Sequence, residues 1–152
     1  MPNNIDRMLD HILFLARRFR GCQVKYIVMV CLLELGIEPK HDGYRYLTRL
    51  ITLYLDAPMQ VSIKSLYLAL SALYNGMVDA EQIEQSIRSA IKKAWKNRDL
   101  EIWKMFFKTN AEGNVDKPSN AEFVSMIACV VDLWKGCCGA EQNDSRTEEG
   151  IL

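Results

Sequence analysis

Cysteine and histidine are the residues of this chain that could form a metal centre or supply a nucleophile. The five cysteines are Cys22, Cys31, Cys129, Cys137 and Cys138. None of them forms a Cys-x-x-Cys pair, and Cys22, Cys31 and Cys129 fall in apolar segments, as reduced core residues do. The histidines, His11 and His41, lack a cysteine or carboxylate cluster at metal-ligand spacing. We therefore predict core thiols, and neither a disulfide nor a zinc or iron site.

The sequence also lacks the residue arrangements on which enzymes depend. It contains no Gly-rich phosphate loop, no Ser/His or Cys/His arrangement and no convincing carboxylate pair. The aromatic and methionine residues of one segment, Trp103, Met105, Phe106 and Phe107, have the spacing of core residues and not of a cofactor pocket. We expect no catalysis, no cofactor and no small-molecule substrate.

The residues that could contact a polyanion lie on one predicted helix, from about Asp79 to Trp95. At 100° per residue its apolar face consists of Ile83, Ile87, Ala90, Ile91 and Ala94. The opposite face carries Glu81, Gln85, Arg88, Lys92 and Lys96, with Glu84 at its border. Five bases and no acid occur from Arg88 to Arg98. Polar residues followed by bases suit a helix in the DNA major groove, but cations near a helix C-terminus also complement its dipole.

The net charge allows nucleic-acid binding without indicating it. The chain has 19 basic and 19 acidic residues. The segment from Ala140 to Leu152 holds four acids and one base, so 18 bases and 15 acids remain in residues 1–139, a net charge of +3. Because phosphate binding depends on Lys and Arg, this excess is permissive for DNA only.

Apolar residues recur at spacings of three and four, which predicts helices and no strands. The predicted helices cover about Asn4 to Arg20, Gln23 to Leu35, Tyr44 to Leu55, Val61 to Tyr74, Asp79 to Trp95, Asp99 to Phe107 and Pro118 to Trp134. We expect an all-α, bundle-like domain of six to seven helices. The fourth and fifth, joined at Asn75-Gly76-Met77-Val78, have the minimum form of a helix-turn-helix.

The two ends of the chain differ from its centre. The first helix aligns Ile5, Met8, Leu9, Ile12, Ala16 and Phe19 on one stripe. We divide the chain into an extra N-terminal helix (1–21), a helix-turn-helix domain (22–135) and an acidic tail (136–152) that we expect to be disordered. The longest apolar run, Tyr26 to Leu33, is too short for a membrane span, and the N-terminus does not resemble a signal peptide. We therefore expect a cytoplasmic protein with no membrane partner.

Several separated motifs recur in the order of a known family. They are Gly43-Tyr44-Arg45-Tyr46-Leu47, Ile83-Glu84, Ile87-Arg88, Ala90-Ile91, Ala94-Trp95 and Lys117-Pro118-Ser119-Asn120-Ala121-Glu122-Phe123. Each is weak alone, but together they are specific. From about Val24 to Leu133 the chain resembles the C-terminal effector domain of the stage-zero sporulation master regulator, a response regulator of endospore-forming bacteria. The resemblance implies a six-helix fold with a helix-turn-helix that binds promoter elements in double-stranded DNA.

The resemblance also assigns roles to residues of the predicted reading helix. The family pattern is a Glu-Arg pair followed by an Arg: Glu84 and Arg88 match its first and last members, and Gln85 stands in place of the middle arginine. Because Arg pairs with guanine and Gln with adenine, the preferred site has changed or specific binding has been lost. The turn before this helix is also longer than the family's, and the helix before that turn is more apolar.

Two functions are consistent with the sequence. In the first, the chain is a sequence-specific DNA-binding regulator whose contacts come from Glu81, Glu84, Gln85, Arg88, Lys92, Lys93 and Lys96, with Lys64 and Lys117 as further phosphate contacts. In the second, it is a protein-interaction module of the same fold that modulates a full-length regulator without reading DNA. The N-terminal helix either caps the core or pairs with a second copy. Neither Asp6 nor Asp10 has the setting of a receiver-domain phosphorylation site, so we expect no control by the chain's own receiver domain.

Overall fold

The computed structural model describes residues 4–57 and 61–149, with side chains described for residues 4–57 and 61–139. Over these ranges the chain forms seven α-helices and no strand beyond one isolated bridge between Thr109 and Val115. The helices are α1 (Asn4–Arg18), α2 (Val24–Glu34), α3 (Asp42–Asp56), α4 (Ile63–Leu73), α5 (Ala80–Lys96), α6 (Leu100–Phe106) and α7 (Asn120–Glu149). The predicted all-α fold is confirmed. No helix in the described ranges is long and apolar enough to cross a membrane.

Side-chain caps determine where several helices begin. Ser62, Asp79 and Asp99 each accept a hydrogen bond from a backbone N–H in the first turn of the helix that follows. The imidazole Nδ1 of His41 does the same for Gly43 at the start of α3, at 3.0 Å. Local capping chemistry is readable from sequence, and the observed boundaries lie within two residues of the predicted ones except at the end of α7.

Helix α7 continues to Glu149, so the prediction that it ends near Trp134 and that the rest is disordered is wrong for residues 136–149. Gly136 follows the predicted end of the helix, but a glycine ends a helix only when nothing favours its continuation. Here the next turn packs on α1: the sulfur of Cys138 lies 3.9 Å from the carbonyl oxygen of Ala16. Residues 150–152 of the predicted tail lie outside the described residues.

Helix α3 lies at the centre of the domain, between α2, α4, α5 and α7. Its side chains Leu47, Leu50 and Ile51 are fully buried. A second part of the core is aromatic: Trp103 is buried and stacks on Phe107, and its indole Nε1 donates to the carbonyl of Leu35 at 3.1 Å. The predicted packing role of this aromatic segment is confirmed.

Helix α1 packs along α6 and α7 and buries Ile12, Leu15 and Ala16. His11 is also buried, and its Nε2 lies 2.9 Å from a carboxylate oxygen of Glu34 on α2. These contacts cover one side of the N-terminal helix and leave its other side available for pairing with a second copy. The division of the chain at residues 21 and 135 stays a prediction.

The predicted core position is wrong for two cysteines, and two apolar residues of α1 are uncovered. Ile5 and Leu9 lie on the predicted stripe of α1 but are exposed, because α1 contacts its neighbours over a narrower arc than its apolar residues occupy. Cys22 and Cys129 are also exposed, the first in the turn after α1 and the second on the outer side of α7. Cys31 is buried as predicted, and its burial raises the pKa of its thiol well above the usual range.

Candidate nucleic-acid interface

Helices α4 and α5 are joined by a tight turn. Asn75 and Gly76 adopt left-handed backbone conformations, with φ of 57° and 73°, which reverse the chain after α4. The hydroxyl of Ser71 then donates to the carbonyl of Val78 at 2.6 Å. Asp79 closes the turn in a capping box: the backbone N–H of Gln82 donates to the Asp79 carboxylate at 2.8 Å, and the Gln82 side chain accepts from the Asp79 N–H at 3.0 Å. The start of α5 is therefore fixed by local bonds.

Helix α5 sits on the first turn of α3 at Gly43. A Cβ atom at Gly43 would lie 2.6 Å from both the Cβ of Ala90 and the backbone oxygen of Ser86. Only glycine permits this approach. The apolar face of α5 packs against the core. Its buried residues are the ones that the sequence predicts, Ile83, Ile87, Ala90, Ile91 and Ala94. This packing directs the polar side of α5 away from the core.

The polar side of α5 is exposed as the sequence predicts. Its exposed members are Glu81, Gln85, Arg88, Lys92 and Lys96. Glu84 is partly exposed, in keeping with its predicted border position, and forms an ion pair with Arg88. The amide Nε2 of Gln85 donates to the carboxylate of Glu81 at 3.4 Å. The polar side chains that could contact bases thus lie along the first half of the helix, and the cations Lys92 and Lys96 follow them.

A groove of about 500 Å³ runs beside Arg88, between α4, α5 and the start of α7. The predicted phosphate contacts Lys64 and Lys117 line it together with Arg88, although the three are far apart in sequence. Glu84 and Glu122 also line the groove. The first backbone N–H groups of α7 add the positive end of a helix dipole. The structure thus brings together cations that could hold the DNA backbone next to the reading face.

One asparagine ties the three helices of this groove together. The Nδ2 of Asn120 donates to the hydroxyl of Tyr67 on α4 at 3.0 Å and to the carbonyl of Glu84 on α5 at 3.1 Å. Burial raises the pKa of the Tyr67 hydroxyl. Sequence reasoning assigned no role to Tyr67 or Asn120. The only sequence signal was the place of Asn120 in the Lys117–Phe123 motif.

Two further bases near the end of α5 lie apart from this face. The ammonium of Lys93, a predicted contact, lies 3.0 Å from the carboxylate of Glu38, in the segment between α2 and α3. Arg98 donates to the carbonyl of Trp95 at 2.7 Å and to the side-chain oxygen of Asn114 at 2.9 Å, and its guanidinium covers the Trp95 ring. Arg98 is thus bound by protein groups, whereas Lys93 forms a half-exposed ion pair.

Two helices at a tight turn, the second presenting a polar and basic face, define a helix-turn-helix protein of the nucleic-acid-binding class. Residues 28–131 match the family described as sporulation initiation factor Spo0A, C terminal. The match covers more than half of the chain, and the chain belongs to this family. The family is one of DNA-binding effector domains of the sporulation response regulator and not a family of enzymes. The resemblance stated from the separated motifs is confirmed.

Proposed function

We propose that this protein is a sequence-specific DNA-binding transcriptional regulator that places α5 in the major groove. One observation carries the proposal: the side chains able to read bases and the cations able to hold phosphates form one continuous exposed surface, from Gln85 and Arg88 to the groove of Lys64 and Lys117. An α-helix fits the major groove, and phosphates flank it on both sides. The membership of a DNA-binding family supports the same function.

Gln85 and Arg88 have distinct proposed roles in reading bases. Arg88 makes a bidentate contact with guanine, and the ion pair with Glu84 holds its guanidinium in place. Gln85 pairs with adenine, oriented by its hydrogen bond to Glu81. A site bound by this protein therefore has an adenine preference where an arginine at position 85 would select guanine.

The phosphate contacts come from two places. Lys92 and Lys96 follow the reading residues on the same face of α5, and Lys64 and Lys117 lie on the other side of Arg88. Lys93 contributes less, because the carboxylate of Glu38 already neutralises it. The proposed partner is double-stranded DNA, which implies a cytoplasmic location in a bacterium.

Selection of bound sequences from random duplex DNA tests the proposal directly. We expect a defined motif for the wild type, and for Gln85→Arg a change from adenine to guanine at one position of that motif. Lys25→Ala is a matched control, since Lys25 is exposed on α2 away from α5 and should leave the motif unchanged. Recovery of no motif by the wild type would refute sequence-specific recognition.

Arg88→Ala provides a second measurement on the selected site. The loss of a bidentate base contact costs about 1–3 kcal/mol, a fall in affinity of about 5- to 150-fold on the preferred sequence and much less on random DNA. Equal losses on both DNAs would show that Arg88 binds only phosphate. A protein-interaction module, the other function consistent with the sequence, would give weak binding with no preference and would copurify with a full-length regulator whether or not Arg88 is present.

A further inference from the structure

Helix α1 exposes more large apolar side chains than any other helix in the described ranges. They are Ile5 (67% exposed), Leu9 (46%), Leu13 (41%) and Phe14 (57%). Isolated apolar residues on a surface are ordinary. Ile5, Leu9 and Leu13, however, follow one another at a spacing of four and form a continuous stripe. Such a stripe costs solvation free energy unless another surface covers it.

The charges beside this stripe are divided between the two halves of α1. The first half carries Asp6, Arg7 and Asp10, a net charge of −1, and the last turn carries Arg17 and Arg18, a net charge of +2. Two α1 helices packed side by side in the same direction would place the arginines of one against those of the other. Packed in opposite directions, each acidic half lies along a basic half. The surface is therefore complementary to itself in the antiparallel arrangement only.

We propose that this protein forms a two-fold symmetric dimer through antiparallel pairing of α1 with α1 of a second copy. In a pair centred midway between Leu9 and Leu13, Leu9 of one copy faces Leu13 of the other. The turn that contains Asp6 then comes opposite the turn that contains Arg17. Both copies use the same patch, as a two-fold interface requires.

The position of α1 makes this dimer compatible with DNA binding. Helix α1 packs on α6 and α7, whereas α5 packs chiefly on α3 and α4. The stripe and the polar face of α5 therefore belong to different parts of the domain, and pairing through α1 leaves α5 uncovered. The contact is small, so we expect a reversible dimer with a Kd on the order of micromolar.

Analytical ultracentrifugation of the full chain without DNA tests the dimer independently of the proposed function. We expect Leu13→Glu to raise the dimer Kd about tenfold or more, because the charge enters the centre of the proposed interface. The matched control is Leu68→Glu, an equally drastic change at a residue that is 64% exposed on α4, and it should leave the Kd unchanged. A wild type that stays monomeric up to millimolar concentration, or equal effects of the two variants, would overturn the proposal.

A charge exchange tests the pairing through α1 even if Leu13→Glu perturbs folding. Asp6→Lys with Asp10→Lys makes both halves of α1 basic, and Arg17→Glu with Arg18→Glu leaves the helix acidic. Each double variant alone should dimerise more weakly than the wild type, whereas an equal mixture should form a heterodimer. Absence of heterodimer from the mixture, with the helical circular dichroism signal intact in both variants, would rule out pairing through α1.

Discussion

The bases from Arg88 to Arg98 look alike in sequence but divide into two groups in the structure. Arg88, Lys92 and Lys96 lie on the exposed face of α5, where Arg88 pairs with its neighbour Glu84 on the same helix. Arg98 instead bonds to Asn114 and lies over the Trp95 ring, with its guanidinium carbon 4.3 Å from the ring centre. The first group faces solvent, and Arg98 faces the protein.

Bases of the same run therefore differ in what they are expected to contribute: the exposed ones to DNA affinity, and Arg98 to the free energy of unfolding. A cation already satisfied by protein groups releases no counterion when DNA binds, so it adds little to affinity. A solvent-exposed cation adds little to folding. Lys93 is intermediate, because its partner Glu38 is itself half-exposed, with side-chain exposures of 56% and 51% for the pair. Three experiments, in order of decreasing effect on folding, test this division.

Gly43→Ala should displace α5, and with it both groups of bases. The added Cβ would lie 2.6 Å from Ala90 and Ser86, so the helices must separate, at a cost of about 1–3 kcal/mol in the free energy of unfolding. Urea denaturation followed by circular dichroism measures it. The matched control is Gly136→Ala in α7, where a new Cβ meets no atom within 4 Å and the change should stabilise the helix by up to about 1 kcal/mol. Unchanged stability of Gly43→Ala would contradict the close seating of α5 on α3.

Arg98→Ala should weaken folding and leave DNA binding almost unchanged. It removes hydrogen bonds to Trp95 and Asn114 and the contact with the indole ring, together about 1–2 kcal/mol. Because Arg98 contacts protein groups, the slope of log affinity against log salt concentration should stay at its wild-type value. A decrease in that slope by about one would place Arg98 on phosphate instead.

Replacement of Lys92 and Lys96 together by Ala should have the opposite result. Both are exposed, so the free energy of unfolding should change by no more than about 0.5 kcal/mol. The salt slope should fall by about two, since each lysine neutralises one phosphate. Lys93→Ala, measured by the same titration, should lower the slope by less than one. If Lys93→Ala instead lowers the slope by about one, as expected for each of the other two lysines, the ion pair with Glu38 does not hold in the complex.

Much of the candidate site could be predicted because it depends on one helix at a time. Helical periodicity placed Gln85, Arg88 and Lys92 on the exposed face of α5, and the predicted start at Asp79 lies one residue from the observed one. The separation of Lys93 from this face could not be predicted, since Glu38 lies 55 positions earlier in the chain. The role of Asn120 was hidden for the same reason, because Tyr67 is 53 positions away.

The structure of the two ends of the chain is harder to predict from the sequence, for a related reason. The periodicity of α1 predicts its apolar stripe, but it does not predict which part of the stripe α6 and α7 cover. Ile5 and Leu9 lie outside the covered part and are exposed. The predicted end of α7, near Trp134, is followed by Gly136, yet the helix continues where Cys138 meets α1. Periodicity predicts which side of a helix is apolar, but not how much of that side the neighbouring helices cover.

The sequence by itself determined the helices, their caps and the polar face of α5, since each depends on residues within a turn or two of one another. Only the tertiary structure decided which cations are available to DNA and which are held by the protein. It also decided that Lys64, Arg88 and Lys117 line one groove. These outcomes depend on distances between residues far apart in the chain, and those distances are set by how the helices pack on α3.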